Sequence, residues 1–168
     1  DLTQIYQNDA QWEADFARIE GAIGSFEGFV GKLGHAQTLL ECLNHRDETG
    51  KIIGKLYSYA SLKRAQDNAV SASQEKYDRI LGLWSRRSAA TAFIEPEILE
   101  IEAQKLAEML EQTPDLGVYA YYFETLERTR AHTRSGEVEE VLAQLSETRG
   151  ACEQAFRMFN NADLKFPD

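Results

Sequence analysis

The histidines, cysteines and serines of this sequence are the side chains that could do chemistry, so their spacing is the first question. Zinc hydrolysis on a helix needs two imidazoles one turn apart with a carboxylate base between them. His35, His45 and His132 form no such pair. Glu41 and His45 are one helical turn apart, but a two-ligand surface pair is more often an incidental contact than a metal site. We assign no metal ligand to this chain.

Other catalytic patterns are also missing from the sequence. There is no Gly-x-Ser-x-Gly element in a strand–turn–helix setting, and no glycine run ends in the Gly-Lys-Ser/Thr of a phosphate-binding loop. Cys42 and Cys152 lack a Cys-x-x-Cys partner, which favours two free thiols in a reducing cytoplasm. Carboxylates are plentiful, but no group of them has catalytic spacing, so we predict no catalytic residue.

The charge balance excludes two classes of partner. The 168 residues include 28 acidic and 18 basic side chains, for a net charge of −10. Such a field repels phosphate backbones and anionic lipid surfaces, so we expect neither a nucleic acid nor a membrane partner. No apolar run approaches the roughly 20 residues that span a bilayer, and the first 30 residues lack the order of a signal peptide. We predict a cytoplasmic protein.

Apolar residues recur at helical spacing along the chain, and Val, Ile and Thr are scarce beside Leu, Ala, Glu, Gln and Arg. These features predict an all-α fold, and we expect one domain over 1–168 with about six mostly antiparallel helices. The predicted helices begin near Asp9, Ala36 or Thr38, Ser71, Glu102, Leu116 and Gly136.

Two interruptions leave alternatives open. Gly21, Gly24, Gly28 and Gly31 lie within the first helical pattern, which therefore either bends or breaks near Gly24, or lets another backbone approach closely. Pro96 comes late in the third pattern, so that helix either ends at Glu95 or continues with a kink. In the first three patterns, the apolar positions with helical spacing include Val30, Leu62, Leu81 and Trp84.

An aromatic segment, Tyr119-Ala120-Tyr121-Tyr122-Phe123, precedes the last predicted loop. Positions 119, 122, 123 and 126 share one helical face, which favours core packing for these residues. Tyr121 is then the ring that we expect to be exposed. Tyrosine combines contact area with a polar tip, as peptide and protein interfaces require.

Several stretches resemble the N-terminal region of the oligoendopeptidase F family, bacterial relatives of thimet oligopeptidase among the zinc metallopeptidases. The stretches are Asp1-Leu2-Thr3-Gln4-Ile5-Tyr6, Trp12-Glu13-Ala14-Asp15, Leu56-Tyr57-Ser58-Tyr59-Ala60-Ser61-Leu62, Tyr122-Phe123-Glu124-Thr125-Leu126, Ala131-His132-Thr133 and Asn161-Ala162-Asp163-Leu164-Lys165-Phe166-Pro167. Ala131 and Arg134 stand where the family more usually has proline and leucine. The resemblance covers essentially the whole chain and stops before the family's His-Glu-x-x-His zinc helix.

The resemblance implies that this chain is the non-catalytic N-terminal domain of a zinc endopeptidase for oligopeptides. Zinc, its ligands and the general base would belong to a C-terminal catalytic domain, and the helical domain would wall a substrate channel and restrict access to it. Both ends of the chain look cut, so we expect exposed apolar surface and self-association as a dimer.

Two other functions stay open at this point. The chain could be a free-standing helical interaction module without enzymatic activity, or an independent enzyme, although no catalytic constellation supports the latter. For the channel or interdomain surface, our candidates are Tyr121, His132, Asp163, Lys165 and Phe166.

Overall fold

The computed structural model describes residues 2–66 and 71–130, and every regular element in these two ranges is helical. The α-helices are α1 (Asp9–Ile23), α2 (Ala36–Gln66), α3 (Ser71–Thr91), α4 (Ile94–Glu100), α5 (Ala103–Gln112) and α6 (Ala120–Arg130). Short 3-10 helices span Leu2–Gln4, Gly24–Phe29 and Pro114–Tyr119. The predicted all-α fold is confirmed, and the helix predicted from Gly136 lies outside the described residues.

One compact unit of the chain ends at Leu126, and a second begins at Glu127. The description below concerns the first unit. The single domain expected over 1–168 stays a prediction.

Helix α1 begins with a side-chain cap and ends where the sequence predicts a break. The Gln11 backbone N–H donates to Asn8 Oδ1 at 3.0 Å, and Gln11 Oε1 accepts from the Gln7 N–H at 3.1 Å. At Gly24 the α-helix gives way to the 3-10 helix Gly24–Phe29. A Cβ placed on Gly21, Gly24, Gly28 or Gly31 would meet nothing within 4 Å, so a break replaces the close backbone approach that was the alternative.

The hydrophobic core consists of two clusters, and α2 contributes to both. The buried members of the first are Tyr6, Trp12, Phe16, Ile19, Ile53, Leu56, Tyr59, Ala60, Ile80 and Leu83. Those of the second are Phe26, Leu33, Leu39, Leu40, Cys42, Leu43, Ile94, Ile98, Ile101, Met109, Leu116, Tyr119, Phe123 and Leu126. The N-terminal part of α2 therefore packs into the second cluster and its C-terminal part into the first. The Trp12 indole N–H donates to the Leu56 carbonyl at 3.0 Å, which fixes α1 against α2.

A polar contact occupies the middle of α2, between the two stretches that enter the clusters. Arg87 of α3 donates from Nη2 to the Arg46 carbonyl and from Nε to Thr49 Oγ1, the latter at 3.2 Å. Gly50 leaves room for the guanidinium, because a Cβ at this position would lie 3.0 Å from Arg87 Nη2. Burial lowers the pKa of Arg87, but a guanidinium stays charged in proteins and needs these acceptors.

Pro96 corrects one prediction. Helix α3 ends at Thr91, and neither predicted alternative holds, because a new helix begins at Ile94 with Pro96 in its first turn. The first N–H groups of a helix have no intrahelical acceptor, so proline is tolerated there without loss of a hydrogen bond. The 3-10 helix Pro114–Tyr119 also replaces the first turn of the helix predicted from Leu116.

Four apolar side chains whose spacing is typical of a buried face are instead exposed: Val30, Leu62, Leu81 and Trp84. Val30 follows the 3-10 helix Gly24–Phe29 as its C-cap with extended ψ, so the helical register that would bury it has ended. Leu62, Leu81 and Trp84 lie within regular helices, on faces that no described element covers fully.

Two glycines that follow the break at Gly24 should respond in opposite ways to replacement by alanine. Gly31 has a φ of 73°, where a Cβ costs about 1–2 kcal/mol, whereas Gly28 has open space and no positive φ. We expect Gly31→Ala to lower the free energy of unfolding by about 1 kcal/mol and Gly28→Ala to leave it unchanged or raise it by up to about 1 kcal/mol. Urea denaturation of both variants measures this, and equal effects would contradict the assignment of Gly31 to the left-handed region.

Candidate interaction surface at the start of helix α6

The candidate surface is built where the 3-10 helix Pro114–Tyr119 continues into α6. Pro114 opens the 3-10 helix, and the Leu116 N–H donates to the Thr113 carbonyl at 2.9 Å. The inward side of this segment consists of Leu116, Tyr119, Phe123 and Leu126, all buried in the second cluster. The backbone of the segment is thus held by the core.

Tyr119 links this segment to α2 by hydrogen bonds as well as by packing. Its hydroxyl lies 2.9 Å from Asn44 Oδ1 and 3.0 Å from Asp47 Oδ2, and both oxygens can accept a hydrogen bond from it. Burial, reinforced by the Asp47 carboxylate, raises the pKa of Tyr119 to about 12. The phenol therefore stays protonated at neutral pH and keeps its role as a hydrogen-bond donor to α2.

Charged residues of α2 and α4 contact Tyr122. The Arg46 guanidinium lies over the Tyr122 ring with its Cζ 4.4 Å from the ring centroid, and it pairs with Asp47 at 3.2 Å. The Tyr122 hydroxyl lies 3.4 Å from Glu95 Oε1. Burial is the main cause that raises the pKa of Tyr122. The cation–π contact between Arg46 and Tyr122 further limits the motion of the first turn of α6.

Val118 and Tyr121 form the outward side of the same turn. Val118 is 77% exposed and Tyr121 is 74% exposed, and residues three apart in a helix are neighbours on its surface. The prediction that Tyr121 is the exposed ring is confirmed. An aromatic and an aliphatic side chain that project from a fixed backbone suit contact with a peptide or a protein surface, because little conformational entropy is lost on binding.

Val118 is a member of this surface that the sequence pattern did not indicate. A 3-10 helix has three residues per turn, so Leu116 and Tyr119 share its inner side and Val118 points away. The α-helical period, at about 100° per residue, also places Val118 off the face of Leu116 and Tyr119, but a single apolar residue outside the core face does not by itself indicate an interaction surface. His132, Asp163, Lys165 and Phe166, the other candidates for the channel or interdomain surface, lie outside the described residues, and their role stays a prediction.

Glu41 and His45, the pair considered for metal binding, have different partners. His45 Nε2 lies 2.8 Å from Ser25 Oγ and 3.2 Å from the Ala22 carbonyl, so this ring connects α2 to the end of α1. Glu41 accepts from Gln37 Nε2 at 2.9 Å. Within residues 2–66 and 71–130, no three His, Cys, Asp or Glu side chains form a group that could hold a metal ion.

In the part of the chain that the structure describes, no helix is long and apolar enough to span a membrane.

Known proteins with similar sequences are oligopeptidases. The Oligopeptidase F family matches residues 97–166. The chain is 33% identical to Oligopeptidase PepF of Bacillus subtilis, over 99% of this chain and 25% of that protein. It is 34% identical to Group B oligopeptidase PepB of Streptococcus agalactiae, over 99% of this chain and 28% of that protein. The chain thus spans about a quarter of the length of the curated relatives it matches.

Solved structures agree with these matches. The crystal structure of oligoendopeptidase-F from Enterococcus faecium superposes with a TM-score of 0.74 at 30% identity, over 95% of this chain and 32% of that one. A putative peptidase from Chlamydophila abortus, 23% identical, has the same fold with a TM-score of 0.72. The resemblance inferred from the sequence is confirmed.

Replacing Tyr119 with phenylalanine tests the anchor beneath this surface. Because Tyr119→Phe removes the donor to Asn44 and Asp47, we expect the free energy of unfolding at pH 8 to fall by about 1–2 kcal/mol. The raised pKa favours the neutral phenol in the folded state, so this contribution is complete below pH 10 and is lost as the pH rises through about 12. Urea denaturation at pH 8, 10 and 11 should show the two proteins converging, and a difference independent of pH would contradict the assigned bonds.

Proposed function

We propose that this chain, which is homologous to the N-terminal region of the oligoendopeptidase F peptidases, is the non-catalytic N-terminal part of a zinc metalloendopeptidase that hydrolyses oligopeptides. The observation that carries the proposal is the extent of the match. Nearly the whole chain aligns, but with only 25% and 28% of the two bacterial oligopeptidases. The larger part of such a protein would supply the reaction.

Zinc is assigned in this proposal to the remainder of the protein. The described residues hold no group of ligands that fits a metal ion, so no zinc ligand is placed on them. In peptidases of this kind, zinc activates a water molecule and polarises the peptide carbonyl, and a His-Glu-x-x-His helix supplies two ligands and the base. The residues of this chain would act on the substrate by position and contact.

The role that we assign to the chain is to wall one side of the substrate channel. Support comes from the surface of Val118 and Tyr121, which is exposed while the backbone beneath it is anchored to α2 through Tyr119. A rigid wall that does not move aside would admit flexible peptides and exclude folded proteins. His132, Asp163, Lys165 and Phe166 remain proposed residues of the channel or of an interdomain surface. The cytoplasmic location predicted from the two unpaired cysteines belongs to the same proposal.

The coding sequence beyond Asp168 is the first test. We expect it to continue into a His-Glu-x-x-His helix, because the homologous oligopeptidases are about four times as long as this chain. The complete protein should cleave a quenched fluorescent oligopeptide, lose that activity with a chelator and regain it with zinc. The 168-residue chain alone should be inactive.

Two results would contradict this proposal. A reading frame that stops after Asp168 would favour the alternative, a free-standing interaction module without enzymatic activity. Cleavage of the peptide by the 168-residue chain in the presence of a chelator would contradict both functions, because it would require a catalytic site within the chain.

Replacing Tyr121 in the complete protein tests the channel wall. If this ring contacts the substrate, Tyr121→Ala should remove about 1 kcal/mol of binding and lower kcat/KM about fivefold, mainly through a higher KM. Leu62→Ala is the matched control, since Leu62 is also an exposed helical residue but belongs to α2. Unchanged constants for Tyr121→Ala would remove this residue from the proposed wall without affecting the assignment of the chain.

A further inference from the structure

A second exposed apolar surface lies on the helix pair α2 and α3. Tyr57, Leu81, Trp84 and Ser85, named here the Trp84 patch, line a shallow hollow of about 430 Å³. Trp84 is 44% exposed and Leu81 is 43% exposed. The Tyr57 ring meets the Trp84 ring edge to face at 5.7 Å between centroids. The rings are therefore held by each other while part of their surface remains in contact with solvent.

Small, uncharged residues lie beside Tyr57 and Trp84, whereas Asp78, three residues before Leu81, brings one charge to the edge of the patch. By helical spacing, Gly54 and Ser61 flank Tyr57 on α2, and Ser88 flanks Trp84 on α3. A Cβ at Gly54 would meet nothing within 4 Å, so the surface there is open. The Ser58 hydroxyl already donates to the Gly54 carbonyl at 2.9 Å. A covering apolar surface would not have to remove water from a charge at these positions, although 27% of the chain is charged.

A charged residue marks the margin of the patch. Arg64 lies over the Tyr77 ring with its Cζ 3.8 Å from the centroid. Tyr77 in turn lies 5.7 Å from Tyr57 between ring centroids. An apolar centre with a polar margin is the arrangement found in protein interfaces.

The size and charge of the patch argue against a second copy of the chain as its occupant. A stable complex between separate proteins buries roughly 800 Å² on each partner, far more than three part-exposed side chains provide. Two copies would also each carry a net charge of −10 and repel each other. A surface on the same polypeptide does not need such an area, because the connection holds it at a high effective concentration.

We infer that the Trp84 patch is the docking site for an apolar surface of the same polypeptide, contributed by the part of the protein outside these 168 residues. The inference rests on the proposed function, in which the chain is about a quarter of a longer peptidase, as its alignment with the Bacillus subtilis protein indicates. The dimer expected from the sequence is therefore not the occupant that we assign to this patch. Docking at α2 and α3 would fix the orientation of the domain that carries the Val118 and Tyr121 surface.

Amide hydrogen exchange in the 168-residue chain and in the complete protein tests this docking. We expect the backbone amides of α3 around Leu81 and Trp84 to exchange at least about fivefold more slowly in the complete protein, because docking suppresses local opening of the helix. The double variant Leu81→Gln, Trp84→Gln should remove this difference. Trp84→Phe should keep it, and so should the control Leu62→Gln, which changes an exposed leucine elsewhere on α2.

The outcomes separate this inference from the proposed function. Equal exchange rates in the two proteins, with a peptidase that is active, would overturn the docking site alone. Protection that rises with the concentration of the 168-residue chain and disappears in the double variant would identify a second copy as the occupant. A reading frame that ends at Asp168 would overturn both proposals, because no further polypeptide would exist to cover the patch.

Discussion

Helix α2 is the constraint that both hydrophobic clusters share, and the Arg87 guanidinium contacts it at the point between them. Helix α2 is 31 residues long and supplies buried residues to one cluster near its start and to the other near its end. Arg87 joins α3 to the point between them, where it donates to the Arg46 carbonyl and to Thr49. Because Gly50 has no side chain, the guanidinium lies close to the helix backbone. The relative positions of the clusters follow from the continuous helix α2, and the Arg87 contact joins α3 to that helix between them.

The helices themselves could be predicted from the sequence, whereas two of their ends could not. Apolar spacing and the glycines near Gly24 indicate where α1 begins and breaks, and the structure agrees. Gly50 and Gly54 do not interrupt α2, because packing on both sides outweighs the propensity cost of roughly 1 kcal/mol for each glycine. The sequence pattern places Pro96 late in the third helix, but Pro96 lies in the first turn of α4. A proline late in one helix and a proline in the first turn of a new helix leave the same apolar residues in phase, so the local pattern does not distinguish the two.

The candidate surface was predictable at one position and not at its neighbour. Tyr121 follows from the α-helical phase that buries Tyr119 and Phe123. Val118 lies off the inner face of the 3-10 turn, and spacing alone does not distinguish an exposed apolar residue that takes part in a contact from one that is incidental. The hydrogen bonds of Tyr119 to Asn44 and Asp47 also join residues far apart in the chain, and no sequence period indicates such a pairing.

The exposed side chains of α3 bear on how apolar spacing should be interpreted in a part of a protein. Leu81 and Trp84 recur at the spacing of buried residues, yet both are more than 40% exposed. Spacing records which faces of a helix are apolar, and selection acts on the burial of those faces in the complete protein. If the remaining polypeptide covers the Trp84 patch, the pattern is correct for the complete protein, and the exposure in the 168-residue chain locates a face of contact. The same argument does not extend to Val30, because its exposure follows from the local change of helix type and needs no partner.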